Sequence, residues 1–95
     1  MTQATLAGQI ALVTGATRGI GLAIALRLAA DGATVIGTAT TDEGAAGIAR
    51  RLQEIGNPGT GIRLDVTDAA ATDAALTAID KQYGAIAILV NNAGI

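Results

Sequence analysis

Residues 14–21 read Thr-Gly-Ala-Thr-Arg-Gly-Ile-Gly, directly after the apolar run Ile10-Ala11-Leu12-Val13 and directly before an apolar, helix-like segment. A strand that leaves a sheet through so short a turn and enters a helix at once needs glycine where the backbone reverses and where two backbones meet. Gly15 permits the turn off the strand, Gly19 lets the backbone come close to a ligand, and Gly21 lets the helix lie tight on the sheet. The start of such a helix carries unpaired N–H groups and a partial positive charge. Together with Ala16, Thr17, Arg18 and Ile20, the three glycines therefore frame a cradle suited to a pyrophosphate. The plainer reading, glycines that serve only a tight connection, is weakened by the buried strand on one side and the helix on the other.

The alternation continues along the chain. Ile20, Ile24 and Leu28 recur every four residues in a helix predicted over Ile20 to Asp31, with Gly32 at its C-cap. A second strand is expected at Thr34-Val35-Ile36-Gly37-Thr38. A second helix starts near Thr41-Asp42-Glu43, presents Ile48, Leu52 and Ile55 on one face, and stops at Gly56-Asn57-Pro58-Gly59. A third strand is expected at Gly61-Ile62-Arg63-Leu64. A third helix starts at Thr67 or Asp68, shows Leu76, Ile79 and Tyr83 on one face, and ends at Gly84. The last run is Ile86-Ala87-Ile88-Leu89-Val90; it and the first are continuously apolar, as strands covered on both faces are. The order β-α-β-α-β-α-β implies right-handed crossovers and a parallel sheet.

Composition agrees and narrows the function classes. With 95 residues there is one domain, and 51% apolar content with 1% aromatic means a core of Ala, Val, Ile and Leu. The net charge of −2, with both signs scattered, gives no basic stripe for nucleic acid or anionic lipid. Without cysteine or histidine there is no disulfide framework, no thiolate nucleophile and no expected metal site. The segment Met1-Thr2-Gln3-Ala4-Thr5 lacks the basic and apolar regions of a signal peptide, and no stretch approaches the ~20 apolar residues of a membrane span, so the cytoplasm is expected.

Three segments together carry a resemblance. Thr14–Gly21, then Leu64-Asp65-Val66-Thr67-Asp68 after the third strand, and Asn91-Asn92-Ala93-Gly94 after the fourth resemble the N-terminal signatures of the short-chain dehydrogenase/reductase family. Around Val35-Ile36-Gly37-Thr38-Ala39-Thr40 the chain is similar to that family's bacterial 3-oxoacyl-acyl-carrier-protein reductases. One departure is Ala87, where many relatives carry an acid. The resemblance implies a Rossmann-type α/β fold with strand order 3-2-1-4. It also implies that residues 1–95 are the cofactor-binding half of a doubly wound domain whose catalytic half lies beyond Ile95. Asp65 is then the acceptor for the adenine amine and Val66 the wall against the ring. Asn91 and Asn92 pin the central strands and line the ribose, and Ala93 and Gly94 let the loop pass close to the cofactor. The alternative for Asp65 is a helix cap, for which Thr67 and Asp68 are better placed.

The choice of dinucleotide turns on the end of the second strand. Domains that prefer NADH usually place an acid there, roughly 20 residues past the glycines, to accept from the ribose 2′-OH. Ala39 stands at that position between Thr38 and Thr40, while Asp42 reads as a helix-starting residue. Arg18 is suited to fork onto a 2′-phosphate, with Thr40 beside it, so the expected cofactor is NADPH. The bland readings are a solvated arginine and an ordinary loop threonine. Family reductases use a Ser-Tyr-Lys set, Tyr and Lys being separated by three residues on one helix. Here Tyr83 is followed four places later by Ala87, and Lys81 precedes it by two, on a different helix face. No catalytic residue is therefore assigned. The expectation is a parent enzyme, a homo-oligomer and by resemblance a tetramer, that reduces a 3-oxoacyl thioester on acyl carrier protein with this chain as its cofactor-binding half, residues 1–95 alone being inactive. The alternatives are a nucleotide-binding half-module without catalysis and a reductase of another small carbonyl compound.

Overall fold

The computed structural model describes residues 5–92. They form β1 (Ile10–Val13), α1 (Gly19–Ala30), β2 (Thr34–Ala39), α2 (Asp42–Glu54), β3 (Thr60–Arg63), α3 (Ala69–Gln82) and β4 (Ile86–Val90). The four strands pair in parallel, as the alternation predicts, and in the order β3-β2-β1-β4 that the resemblance implies. Because side chains alternate along a strand, β1 feeds two cores. Ala11 and Val13 join Val35 and Ala39 beneath α1 and α2, where Ala25, Ala45, Ile48 and Leu52 meet them. Ile10 and Leu12 join Ile36 on the other face, where Ile79 of α3 closes the cluster with Leu76 and Tyr83. All four residues of β1 are buried.

The helix ends follow the local chemistry. Thr41 caps α2 by accepting from the Gly44 N–H (3.0 Å), and Asp68 caps α3 by accepting from the Ala71 N–H (3.0 Å). At the C-terminus of α1, Gly32 has φ +98°, and the N–H groups of Gly32 and Ala33 return to the Ala29 and Leu28 carbonyls. That is the Schellman closure, and Gly56 and Asn57 repeat it on α2 with the Gln53 and Leu52 carbonyls.

Three expectations about faces change. In the first helix Ile24 and Leu28 pack half-buried on the core as expected, but Ile20 is 73% exposed, and the most buried positions are Gly21 and Ala25. The close approach of α1 to the sheet selects these smallest side chains. Ile55 is the C-cap of α2 and lies exposed, leaving Ile48 and Leu52 as the buried face. Unlike β1, β4 is not covered on both sides among the described residues. Ile88 and Val90 pack on the core under α1, whereas Ala87 and Leu89 are exposed.

Candidate functional site

The glycine turn sits at the carboxyl end of β1 and is fastened on both sides. Toward β2, the Gly15 N–H donates to Thr38 Oγ1 (3.1 Å), and the Ala16 N–H donates to the Thr38 carbonyl (2.9 Å). Toward the chain beyond β4, Asn92 Nδ2 donates to the Gly15 carbonyl (3.1 Å), and the Thr14 hydroxyl lies 3.3 Å from Asn91 Oδ1. Gly15 and Gly19 take φ values of +65° and +60°, the left-handed region that glycine reaches without strain. A Cβ on Gly21 would collide with the Gly15 carbonyl oxygen and stand 2.6 Å from Asn92 Nδ2. The roles read for these glycines thus have a geometric counterpart in the turn, the two positive φ values and the tight helix.

Arg18 is the N-cap of α1 in extended conformation, and its side chain makes no capping hydrogen bond. The first turn of α1 has no acidic residue, whereas α2 carries Asp42 and Glu43 there. The positive end of the α1 dipole is therefore not neutralised by its own side chains, and its first N–H groups remain open to an anion. Thr17, Arg18, Gly19 and Ile20 are all exposed beside it, and Ala16 is buried beneath.

Next to the turn lies a cleft of about 260 Å³. Gly15 and Thr17 form its floor, Thr38, Ala39 and Thr40 one wall, and Leu64 to Thr67 the other. Asp65 Oδ1 accepts from both the Thr67 hydroxyl (2.6 Å) and the Thr67 N–H (2.9 Å). The hydroxyl, and after it the N–H, hold the Asp65 carboxyl below the usual carboxylate range against a weaker opposing effect of desolvation. With its folded value depressed, the group favours the fold above the unfolded value, and that contribution is lost as the pH falls through the folded one. At neutral pH Asp65 is an acceptor, and Oδ2 has no partner among the described residues. The helix-cap alternative falls away, because Asp68 is the cap.

Ala39 ends β2 without a carboxylate. The next acid, Asp42, opens α2 as its sequence position suggests, and its Oδ2 lies 3.6 Å from Arg63 Nη1. Thr40 is exposed at the rim. The structure thus gathers Gly15, Ala16, Thr17, Arg18, Gly19, Ile20, Gly21, Thr40, Asp65, Val66 and Asn92 along one end of the sheet; Ala93 and Gly94 lie outside the described residues. Thr38 was not among the residues assigned to the site from sequence. Its buried hydroxyl, an unusual polar group inside an apolar strand, is the signal that could have found it.

A larger hollow of about 400 Å³ lies between α1 and α2, with the exposed Arg50 and Arg51 at its edge. It shares Thr17 with the cleft but is otherwise walled by α1 and α2, without the strand-end residues where open α/β sheets converge their polar groups. Tyr83 is the C-cap of α3 and packs on the apolar cluster, as read from sequence. No group of three metal-ligating side chains occurs among the described residues, and no helix among them is long and apolar enough to cross a membrane.

Comparison with known proteins gives one answer. The family profile described as short chain dehydrogenase matches residues 9–95. The chain is 58% identical over 90 residues to a 3-oxoacyl-acyl-carrier-protein reductase FabG of Vibrio harveyi, covering 95% of this chain and 36% of that protein. It is 56% identical over 88 residues to the protein of the same name in Escherichia coli (strain K12), covering 93% of this chain and 35% of that one. With the Pseudomonas aeruginosa FabG the identity is 52% over 91 residues, covering 96% and 37% of the two chains. The chain thus spans little more than a third of the length of these curated relatives. The turn, the cleft and these matches make the chain a member of the short chain dehydrogenase family.

Proposed function

We propose that this chain is the cofactor-binding half of an NADPH-dependent reductase that converts a 3-oxoacyl thioester on acyl carrier protein to the 3-hydroxyacyl form. The observation that carries the reading is the pairing of an unneutralised α1 N-terminus with a cleft that ends β2 on Ala39 and not on an acid. The names of the relatives support the substrate class.

The residues present fit such a group. The cleft has an apolar side in Ala39, Leu64 and Val66 for a flat ring and a fixed acceptor in Asp65 Oδ2 for an exocyclic amine. The open N–H groups of the α1 first turn, with Gly19 removing any side chain from their path, receive the pyrophosphate. Thr40, exposed at the end of the β2 wall, and Arg18, exposed on the glycine turn, would hold a ribose 2′-phosphate, Arg18 supplying the cation. Asn92 holds the Gly15 carbonyl and so keeps the turn in shape for binding. When bound, the nicotinamide supplies the hydride. This chain's own residues bind and orient, and no catalytic acid is assigned to it. The complete enzyme is read as a homo-oligomer.

Arg18→Ala tests the reading. It should weaken NADPH binding by roughly 1.5–3 kcal/mol, the scale of a hydrogen bond to a charged group, and leave NADH almost unchanged. Ala39→Asp should move the preference toward NADH by adding a 2′-OH acceptor. Dissociation constants for both dinucleotides, by calorimetry or cofactor fluorescence, decide it. Equal losses on removing Arg18 would overturn the assignment.

A further inference from the structure

The cleft has a second cation close to it that neither the glycine turn nor the end of β2 supplies. Arg63 is the last residue of β3 and stands in register with Ala39, the last residue of β2, with the Leu64 N–H donating to the Ala39 carbonyl (2.8 Å). Its Cα is therefore one strand spacing, about 4.8 Å, from the backbone position where an NADH-type domain places its acid. The side chain turns toward the start of α2, where Nη1 lies 3.6 Å from Asp42 Oδ2. Asp42 follows Thr40 by two residues and Arg63 precedes Leu64, so in the chain the pair adjoins residues of both walls of the cleft without lining it itself.

Charges on edge strands ordinarily protect the edge from pairing with other chains. Arg63 does not point away across the edge; it is folded back onto an acid beside the cleft. The pair is also loosely held, since the two side chains are 63% and 84% exposed. An exposed pair of this kind contributes little and is readily exchanged. Asp42 does not depend on Arg63, because it sits in the first turn of α2, where the helix dipole favours a carboxylate. Thr41 already caps that helix, so the cap does not need Asp42 either.

We propose that Arg63 is a second cation for the 2′-phosphate of a bound adenine dinucleotide, opposite Arg18, and that Asp42 is the counter-ion it gives up on binding. The inference rests on the reading above that this cleft takes the 2′-phosphorylated dinucleotide. Arg63 also has a role before binding. By pairing with Asp42 it screens a carboxylate that, three residues past Ala39, would repel a 2′-phosphate. Specificity then comes from two sides of the cleft: a cation on the α1 turn, and a cation on β3 that screens an acid on α2.

The test uses two probes that differ only at the 2′-position, adenosine 2′,5′-bisphosphate and 5′-AMP, titrated into the chain by calorimetry. Arg63→Met should weaken the bisphosphate about threefold to fivefold and leave 5′-AMP within twofold, the scale of an exposed charge pair. Arg63→Lys should keep most of the affinity. Asp42→Asn should strengthen the bisphosphate about threefold, and adding Arg63→Met to it should cancel the gain. Added salt should flatten all these differences together. If Arg63→Met changes both probes equally or neither, while Arg18→Ala selectively loses the bisphosphate, the proposal is overturned and the NADPH reading stands. If the unaltered chain binds the two probes equally, or binds neither, the NADPH reading fails and this proposal with it.

Discussion

A methyl group added at Gly21 would meet the Gly15 carbonyl oxygen, a backbone atom fixed by the turn, and stand 2.6 Å from the Asn92 amide that binds that same oxygen. Neither neighbour has room to retreat without breaking the tie between the turn and the strand ends. Gly21→Ala is therefore expected to destabilise the chain by about 3 kcal/mol, the upper part of the range for overpacking. In a thermal melt followed by circular dichroism this is a fall of roughly 12–24 °C for a domain of this size. A shift of only a degree or two would show that α1 slides away from the sheet at little cost. The spacing of the three glycines was legible because each meets a backbone demand that no other residue meets so cheaply. Asp65 was legible as the residue that follows the third strand, and it lines the cleft as an ionised acceptor. The Thr67 hydroxyl that fixes its Oδ1 was not assigned, since a threonine two residues past an acid is ordinary turn chemistry. The Arg63–Asp42 pair was not legible at all. Its partners are far apart in the chain and meet only because β3 lies beside β2.

The four strands and three helices were read in the right order, with boundaries off by a residue at β2, α1 and β3. Capping chemistry explains the success: Thr41, Asp68, Gly32, Gly56 and Gly84 each stand where the structure begins or ends a helix. Burial was harder to read where a helix is apolar all round. In α1 the stripe was right for Ile24 and Leu28, which pack half-buried on the core, and wrong for Ile20, while the closest contact with the sheet went to Gly21 and Ala25. In α2 the apolar residues are few enough that Ile48 and Leu52 identified the face correctly. This helix also carries an avoidable weakness. Gly47 lies in its interior, and a Cβ there would meet nothing within 4 Å. Gly47→Ala should stabilise the chain by about 1 kcal/mol, the difference in helix propensity between the two residues. A denaturant titration should show a higher midpoint with an unchanged slope; a lower midpoint would place hidden packing against that face.

Across the whole molecule, the two edges of the sheet are unlike. At one edge β3 ends on Arg63 and is packed beneath α2, with Gly61 against the Ala45 backbone. At the other, β4 pairs only with β1 among the described residues, is apolar throughout, and leaves Leu89 64% exposed beside Leu76 and Ile86. An apolar strand with one free row of backbone groups is a template for another chain. The chain is expected to self-associate at tens of micromolar in sedimentation velocity, and Leu89→Lys should shift it toward monomer. A monodisperse, stable monomer of the unaltered chain would count against this. The parallel sheet was legible because alternating strands and helices join through right-handed crossovers, and its strand order came from the family resemblance. The bare face of β4 was not, because a continuously apolar run reads the same whether or not something covers it.

The tie between Asn92 and Gly15 joins residues 77 positions apart. A ribosome adding about 5–20 residues per second makes the glycine turn roughly 4–15 seconds before the amide that fastens it. Through that interval β1 has β2 to one side and an empty place on the other, because the strand that fills it is the last of the four to be made. The nascent chain thus carries its glycine turn early and fastened on one side only. The turn waits, held from the β2 side alone, until the far end of the described chain returns to close it.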